Sequence, residues 1–452
     1  GIELSSATRN TIGGISAADR NIISGNNSDG IFIHGNDTSS NEVIGNYIGV
    51  DRTGLLALQN KGDGVSLDNG TRYNVIGTAA AGNVISGNKD SGIRLNGGTE
   101  STRETASNSI KGNKIGVNAL GSAAVANKQG ILMRQNSHHN IVGGSGAGEG
   151  NLISGNTQYG LRVTGTGNTN NQVIGNMIGT NAPGTSAIPN LVGLTIDSSS
   201  EANLVDSNLI SGNAVGFVVY GGASQNVLSN NKVGTDISGL LPVPNFAANG
   251  VVALASHNRV GPNNIIAYSS GTLEVFGYNY GLAVSGESAV GNTITQNSFF
   301  QNVGLGILLT DEANGRIAYP TINLASTVGS QTTASGTAPA SSIIELFQSE
   351  VPPDALNQGE GKTYLASANS DANGNWSATL GALTVGSTIC ATATDASGNT
   401  SEFSFNRTVT SPSPTTTTTV TTTTTTTTTT WGGGEIIDDF SFSFPSGRMP
   451  GQ

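Results

Sequence analysis

One phrase recurs along this chain. Asn83-Val-Ile-Ser-Gly-Asn88 returns as Asn21-Ile-Ile-Ser-Gly-Asn26, Asn151-Leu-Ile-Ser-Gly-Asn156 and Asn208-Leu-Ile-Ser-Gly-Asn213, with a decayed copy at Asn264-Ile-Ile-Ala. The starts are 62, 68, 57 and 56 residues apart (83−21, 151−83, 208−151, 264−208). A second phrase keeps step: Gly45-Asn-Tyr-Ile-Gly49, Gly112-Asn-Lys-Ile-Gly116, Gly175-Asn-Met-Ile-Gly179 and the weaker Asn230-Asn-Lys-Val-Gly234. Two phrases in lockstep at such a period indicate a solenoid, in which each unit buries its apolar face against the next.

Inside a unit, short strand-like runs such as Gly30-Ile-Phe-Ile33, Tyr47-Ile48, Gly64-Val-Ser-Leu67 and Gly92-Ile-Arg-Leu95 recur at roughly 20 residues, so about three turns make a unit. A turn that short has no room for a strand, a packed helix and loops. It suits a coil of short strands and tight corners, the parallel β-helix. Glycine and asparagine tolerate the left-handed backbone of corners, so Asn26, Asn88, Asn156 and Asn213 read as repeat turns. The 64 glycines fit this use.

Alternation places Ile2 and Leu4, Ile31 and Ile33, Val65 and Leu67, Ile93 and Leu95, Leu161 and Val163 inward. Glu3, Phe32, Ser66, Arg94 and Arg162 then point outward, and the outward column turns apolar at Val218, Val252 and Ala283. At a sheet spacing of ~4.8 Å, about 15 coils predict a rod of roughly 70 Å over residues 1–310. A loop recurs with identical spacing: Asp51 to Gly54 to Asn60, Asn118 to Gly121 to Asn127, Asn181 to Gly184 to Asn190, Asp236 to Gly239 to Asn245. Such loops should project from one edge, about three coils or ~14 Å apart. They read as Asx-type turns, which Asp and Asn both satisfy. Calcium is the minor alternative, since only two of the four positions are acidic.

Residues 311–320 read as a linker. Over 321–409, strand-like runs (Ser342–Phe347, Thr363–Ala366, Asn375–Ala378, Thr388–Thr392, Glu402–Phe405) alternate with turn clusters such as Asp371-Ala-Asn-Gly-Asn375, which signals a small β-sandwich. Cys390, the single cysteine, rules out an intramolecular disulfide framework and reads as a buried apolar filler. Residues 410–431 form a Thr/Pro-rich stalk and 432–452 a tail. In that tail Phe440, Phe442 and Phe444 alternate with serine after Ile436 and Ile437, the pattern of a half-buried strand with no sheet of its own. These five residues are candidates for self-assembly by strand addition to a neighbour.

The first residue is Gly, and Gly1-Ile-Glu-Leu4 matches Gly64-Val-Ser-Leu67, so the chain opens mid-unit. That start is expected of a processed or truncated secreted chain, or of an end built to meet another subunit. With only 11% charged residues and a net charge of −11, the chain is a poor partner for nucleic acid or an anionic membrane. No apolar run approaches a membrane span in length.

The two repeated phrases resemble the Asn/Gly-rich right-handed parallel β-helix repeats of large bacterial surface proteins, often those bearing a CSLREA-type export segment. The stretches Gly359-Glu-Gly-Lys-Thr-Tyr-Leu365 and Asp395-Ala-Ser-Gly-Asn-Thr-Ser-Glu402 resemble the bacterial Ig-like domain that commonly follows them. The resemblance implies an all-β chain, a parallel β-helix followed by an Ig-like sandwich, and a place outside the cell or on its surface. It covers neither the threonine tract nor the Phe-Ser tail.

The wider β-helix class includes pectate lyases, polygalacturonases and phage tailspikes, so catalysis has to be weighed. Glycoside hydrolysis wants two carboxyls about 5–10 Å apart. Asp68 and Asp197 hold equivalent strand positions but, two units apart, would lie roughly 29 Å from each other. Asp29, Asp63 and Asp90 precede strand glycines and read as turn residues. Arg94 and Arg162 share a face, ~14 Å apart, with no acid cluster in the sequence around them. His138 and His139 read as a solvated corner, with metal binding as the lesser alternative. The sequence therefore predicts a structural surface protein with no catalytic, cofactor or metal residues. Its partners would be further copies of itself head to tail, or a cell-envelope glycan. The alternative is a polysaccharide-acting lyase or hydrolase, or a glycan-binding adhesin.

Overall fold

Short β-branched runs separated by Gly and Asn cannot build a self-sufficient sheet, and in the computed structural model they stack instead. The structure describes residues 1–100, 103–270, 280–350 and 357–412. Three parallel sheets run through the solenoid: one of eleven strands, from Ile2–Ser5 to Ile307–Thr310, and two of ten. Each is ordered strictly by coil, and a coil contributes one strand to each sheet. No described helix is long and apolar enough to cross a membrane. The inward columns run as alternation requires: Ile31, Ile33, Val65, Leu67, Ile93, Leu95 and Leu161 are fully buried.

The coil is longer than the sequence suggested. Partners in the eleven-stranded sheet lie 23 residues apart at the shortest (Leu194 to Phe217, 217−194) and 38 at the longest (Ile93 to Ile131, 131−93). The 20-residue step came from reading strands of different sheets, such as Tyr47–Ile48 and Val65–Asp68, as one series. Two coils, not three, make each repeat. Eleven coils span ten intervals, ~48 Å at the sheet spacing, rather than roughly 70 Å.

Val252 also leaves the outward column. Its partners are Val219 and Val284, both buried, and the outward position belongs to Val251, beside Val218 and Ala283. The shift places Gly250 between Phe217 and Leu282 in the inward column. A Cβ on Gly250 would stand 2.2 Å from Phe217 Cζ. Gly250→Ala is therefore expected to cost about 2–3 kcal/mol through overpacking. Phe217→Leu should relieve most of it; equal urea midpoints for wild type and Gly250→Ala would contradict this.

Asparagine does a different job from the one its corner position implied. In the Ser-Gly-Asn phrases the glycine takes the left-handed backbone (Gly25, Gly87, Gly155 and Gly212, φ between 73° and 75°). Asn26, Asn88, Asn156 and Asn213 are not at positive φ; they are rungs of a side-chain ladder. Asn88 N and Nδ2 donate to Asn127 Oδ1 at 3.0 and 2.9 Å, and Asn156 does the same to Asn190 at 3.0 and 3.0 Å. Two more ladders run in parallel, one through Asn74, Asn108 and Asn140, the other through Asn83, Asn113 and Asn151. Each amide satisfies the backbone N–H of the preceding rung's asparagine, which a corner inside a coil otherwise leaves unpaired.

The recurring loops form a ridge. They are two coils apart, ~9.6 Å, because the coils between them carry no loop at that corner. They touch directly: Gly54 O accepts from Ala119 N, Gly121 O from Ala182 N and Gly184 O from Ile237 N, at 2.9, 2.9 and 3.0 Å. Within each loop the first residue acts as an Asx cap. Asp51 Oδ1 accepts from Leu55 N and Leu56 N, and Asn181 Oδ1 from Thr185 N and Ser186 N. The Thr53 hydroxyl, foremost, holds the Asp51 carboxyl below its usual range.

Residues 311–320 are more than a linker. Ala313 and Asn314 are buried; Asn314 Oδ1 accepts from Asn292 N, so it is a ladder rung in its own right. Beyond it stand a three-stranded antiparallel sheet (Thr321–Val328, Gln331–Thr337, Asn375–Gly381) and a four-stranded one (Gly361–Asn369, Ile343–Ser349, Thr388–Thr394, Arg407–Thr408). Glu402–Phe405 is not a strand. Ser401 and Ser404 N–H groups donate to Ala393 O and Ala391 O, while their hydroxyls, in place of backbone carbonyls, accept from Ala393 N and Ala391 N. That frees Phe403 to pack on Phe299 and Phe347, ring centroids 5.5 Å apart in each pair. Cys390 and Phe403 share the solenoid's core, and residues 1–412 form one unit.

Candidate functional site

The outer face of the eleven-stranded sheet carries the charged residues singled out from sequence. Register sets Arg94, Leu132, Arg162, Thr195 and Val218 side by side in one column. Asp68, Asn96, Arg134, Thr164 and Asp197 form the next. Arg94 and Arg162 are two rungs apart, ~10 Å, and Asp68 and Asp197 four rungs, ~19 Å. Both distances are shorter than the 20-residue coil implied.

Acids do accompany these arginines. Arg94 lies 2.8 Å from Asp63 and 3.1 Å from Asp68; Arg162 lies 2.8 Å from Asp197. Arg94 also donates to the buried Ser66 hydroxyl at 2.8 Å, which explains why an outward serine is covered. These partners are 26 to 35 residues away in sequence, one coil, and so were invisible to local inspection. The Arg162 guanidinium also stacks 4.9 Å from the Tyr159 ring.

Asp63 works as a turn residue and an ion partner together. Its Oδ1 accepts from Ser91 N at 2.7 Å, while Asp29 Oδ1 accepts from Asp63 N. Burial pushes its carboxyl up to about 6, against the opposing pull of Arg94. A folded pKa above the unfolded value means the native state holds the proton more tightly, so this group's contribution is greatest in acid and is lost as pH rises from about 4 to 6. Asp63→Asn keeps the acceptor for Ser91 and removes the titration. Urea unfolding is expected to show the wild type losing about 2–3 kcal/mol relative to this variant between pH 4 and pH 7. Parallel pH profiles would contradict it.

The carboxylates of this face are thus tied to arginines or backbone, and Asp68 and Asp197 stand too far apart to flank one glycosidic bond. Of the histidine corner, His139 is exposed, as expected of a solvated turn, while His138 is half-buried. His138 Nδ1 lies 2.8 Å from His139 Nδ1, and His138 Nε2 3.4 Å from Glu104, which also binds Arg72. Among the described residues no group of three or more His, Cys, Asp or Glu could hold a metal ion. Ile436, Ile437, Phe440, Phe442 and Phe444 lie outside the described residues, as does the threonine tract.

One feature of the face escaped the sequence reading. Beside Arg134 opens a cleft of about 390 Å³, lined by Gln129, Leu132, Gln135, Arg162, Thr164 and Ser198. Arg134 alternates on its strand as Arg94 does on its own, and that was the available signal.

The fold defines a long parallel β-solenoid with asparagine stacks, closed by antiparallel sheets. No family model matches the chain, and no curated protein matches it. Among solved structures, one described as "The complex structure of XylC with xylose" is similar, with 10% identity over 77% of this chain and 68% of that one, and a TM-score of 0.33. A likeness at that TM-score carries no argument about function.

Proposed function

We propose that the chain is an extracellular structural protein, a stiff rod that serves as a subunit of a filament or stalk, with an adhesive face. The observation that carries this reading is the run of three asparagine ladders, whose buried side chains hydrogen-bond from coil to coil along the solenoid. Stacked coils joined by such ladders resist bending and local opening. The paired state of Asp63, Asp68 and Asp197 supports the same side, since none is left as an unengaged acid or base. The antiparallel sheets act as an Ig-like terminal domain in this reading.

Assembly is assigned to the tail, where Phe440, Phe442 and Phe444 alternate with serine. Electron microscopy of the full chain should show fibres, and of a chain lacking residues 431–452, single rods. Fibres that persist without the tail would retire the assembly route. Depolymerisation of acidic polysaccharides by the purified chain, lost on substituting Arg94 or Arg162, would overturn the structural reading in favour of an enzyme.

A further inference from the structure

Three arginines project from neighbouring rungs of the long sheet, and two are neutralised. Arg94 is held by Asp63 and Asp68, Arg162 by Asp197. Arg134, between them, is exposed; it feels the charge of Asp68, two rungs away in its column, but among the described residues no side-chain hydrogen bond or salt bridge holds its guanidinium. A lone arginine is ordinary at a surface. This one borders a cleft of about 390 Å³, within the roughly 300–1,000 Å³ range typical of small-ligand sites. Gln129 lines the same cleft, and its side-chain oxygen has no donor among the described residues.

We propose that this cleft binds the carboxylate of an acidic sugar, with Arg134 as the anion anchor. A guanidinium fork matches a carboxylate in bidentate geometry. The remaining lining suits a polyol: Gln129, Gln135 and Ser198 offer amides and a hydroxyl to sugar hydroxyls, the Thr164 hydroxyl, which donates to Asp197, can still accept, and Leu132 offers an apolar surface to a ring face. Dense polyanions are disfavoured by the chain's net charge of −11. A short acidic oligosaccharide carries only a few carboxylates, so it reaches an arginine on this face at a smaller electrostatic cost than a long polyanion does. The face continues along the rod, so flanking sugars would lie over Arg162 and its Tyr159 platform. The site gives the adhesive role a ligand class, and it stands whether or not the chain forms fibres.

The test is calorimetric titration of the full chain with trigalacturonate and with its neutral counterpart, galactotriose. Trigalacturonate is expected to bind in the submillimolar to millimolar range, about 4–6 kcal/mol, and galactotriose at least tenfold more weakly. Arg134→Gln should weaken trigalacturonate binding at least tenfold with an unchanged melting temperature. Arg134→Lys, keeping charge but losing the fork, should fall between. No heat with trigalacturonate at 10 mM ligand, roughly the weak limit for such a site, overturns the proposal. So does equal affinity for the neutral sugar, or full affinity in Arg134→Gln. Micrographs of the same samples report on assembly separately, so failure of the sugar site and failure of the filament reading are distinguishable.

Discussion

Asn113→Ala is expected to destabilise the chain by about 3–5 kcal/mol, among the largest effects a single substitution produces. Asn113 is 1% exposed and sits mid-ladder. Its Oδ1 accepts from Asn83 N at 3.0 Å and Asn83 Nδ2 at 2.9 Å. Its Nδ2 donates to Ile76 O at 2.7 Å and Asn151 Oδ1 at 2.9 Å. Alanine deletes all four bonds and leaves their partners buried, each at a cost of ~1–3 kcal/mol before relaxation and non-additivity. Asn113→Asp keeps the acceptor but points a charge at two oxygens. It should cost at least as much at neutral pH and recover in part in acid, where a protonated carboxyl can donate. Asn27→Ala, at an exposed asparagine outside the ladders, should stay within ~0.5 kcal/mol of wild type. Solenoids need not unfold in one step, so amide exchange around Asn83 and Asn151 is the sharper readout beside the urea midpoint. Equal behaviour of Asn113→Ala and Asn27→Ala would remove the ladders as the source of stiffness.

Glu360→Ala is expected to loosen the closed end of the rod by about 3 kcal/mol. The direction of the ladders explains why. Each rung's N–H donates to the next rung's asparagine, so the last coil is left with donors and no acceptors. The antiparallel unit supplies carboxylates in their place. Glu360 accepts from Asn302 N at 3.1 Å and Nδ2 at 2.6 Å. Glu345 accepts from Gln296 N at 3.0 Å and the Thr295 hydroxyl at 2.6 Å, and Glu402 accepts from Leu309 N at 3.0 Å. Asn399 Oδ1 takes Gly291 N at 2.6 Å. Glu345 and Glu360 are 5% and 7% exposed, so losing either strands buried donors. Hydrogen exchange should quicken at least tenfold at the Asn302 amide in Glu360→Ala, and at Gln296 in Glu345→Ala. Glu360→Gln, which keeps one acceptor oxygen, should lie between. Exchange unchanged in both alanine variants would mean that the Phe299, Phe347 and Phe403 contacts alone hold the two parts together.

The divide between what the sequence states and what folding adds follows the range of the interactions. A parallel solenoid of short strands was readable from the Asn-x-Ile-Ser-Gly-Asn phrase, and the inward columns from period-two alternation, because both depend on neighbours within a few residues. The coil length was misread because strands of three different sheets look alike in sequence. From that error came the wrong spacing of Arg94 and Arg162; Val252 turns inward for another reason, Gly250 taking the place beside Phe217, and the acids of those arginines lie a coil away in sequence. Asn88 could be seen to matter, but its role as a rung rather than a corner needed Asn127, a coil away, in view.

Local pattern alone therefore settled that this chain winds into stacked parallel strands with glycine at its bends. Tertiary structure alone decided which residues meet across coils: Asp63 with Arg94, Asp197 with Arg162, Glu360 with Asn302. The physical reason is register. Coils of 23 to 38 residues differ by the loops they carry, and only the stacked backbone fixes which side chains share a rung.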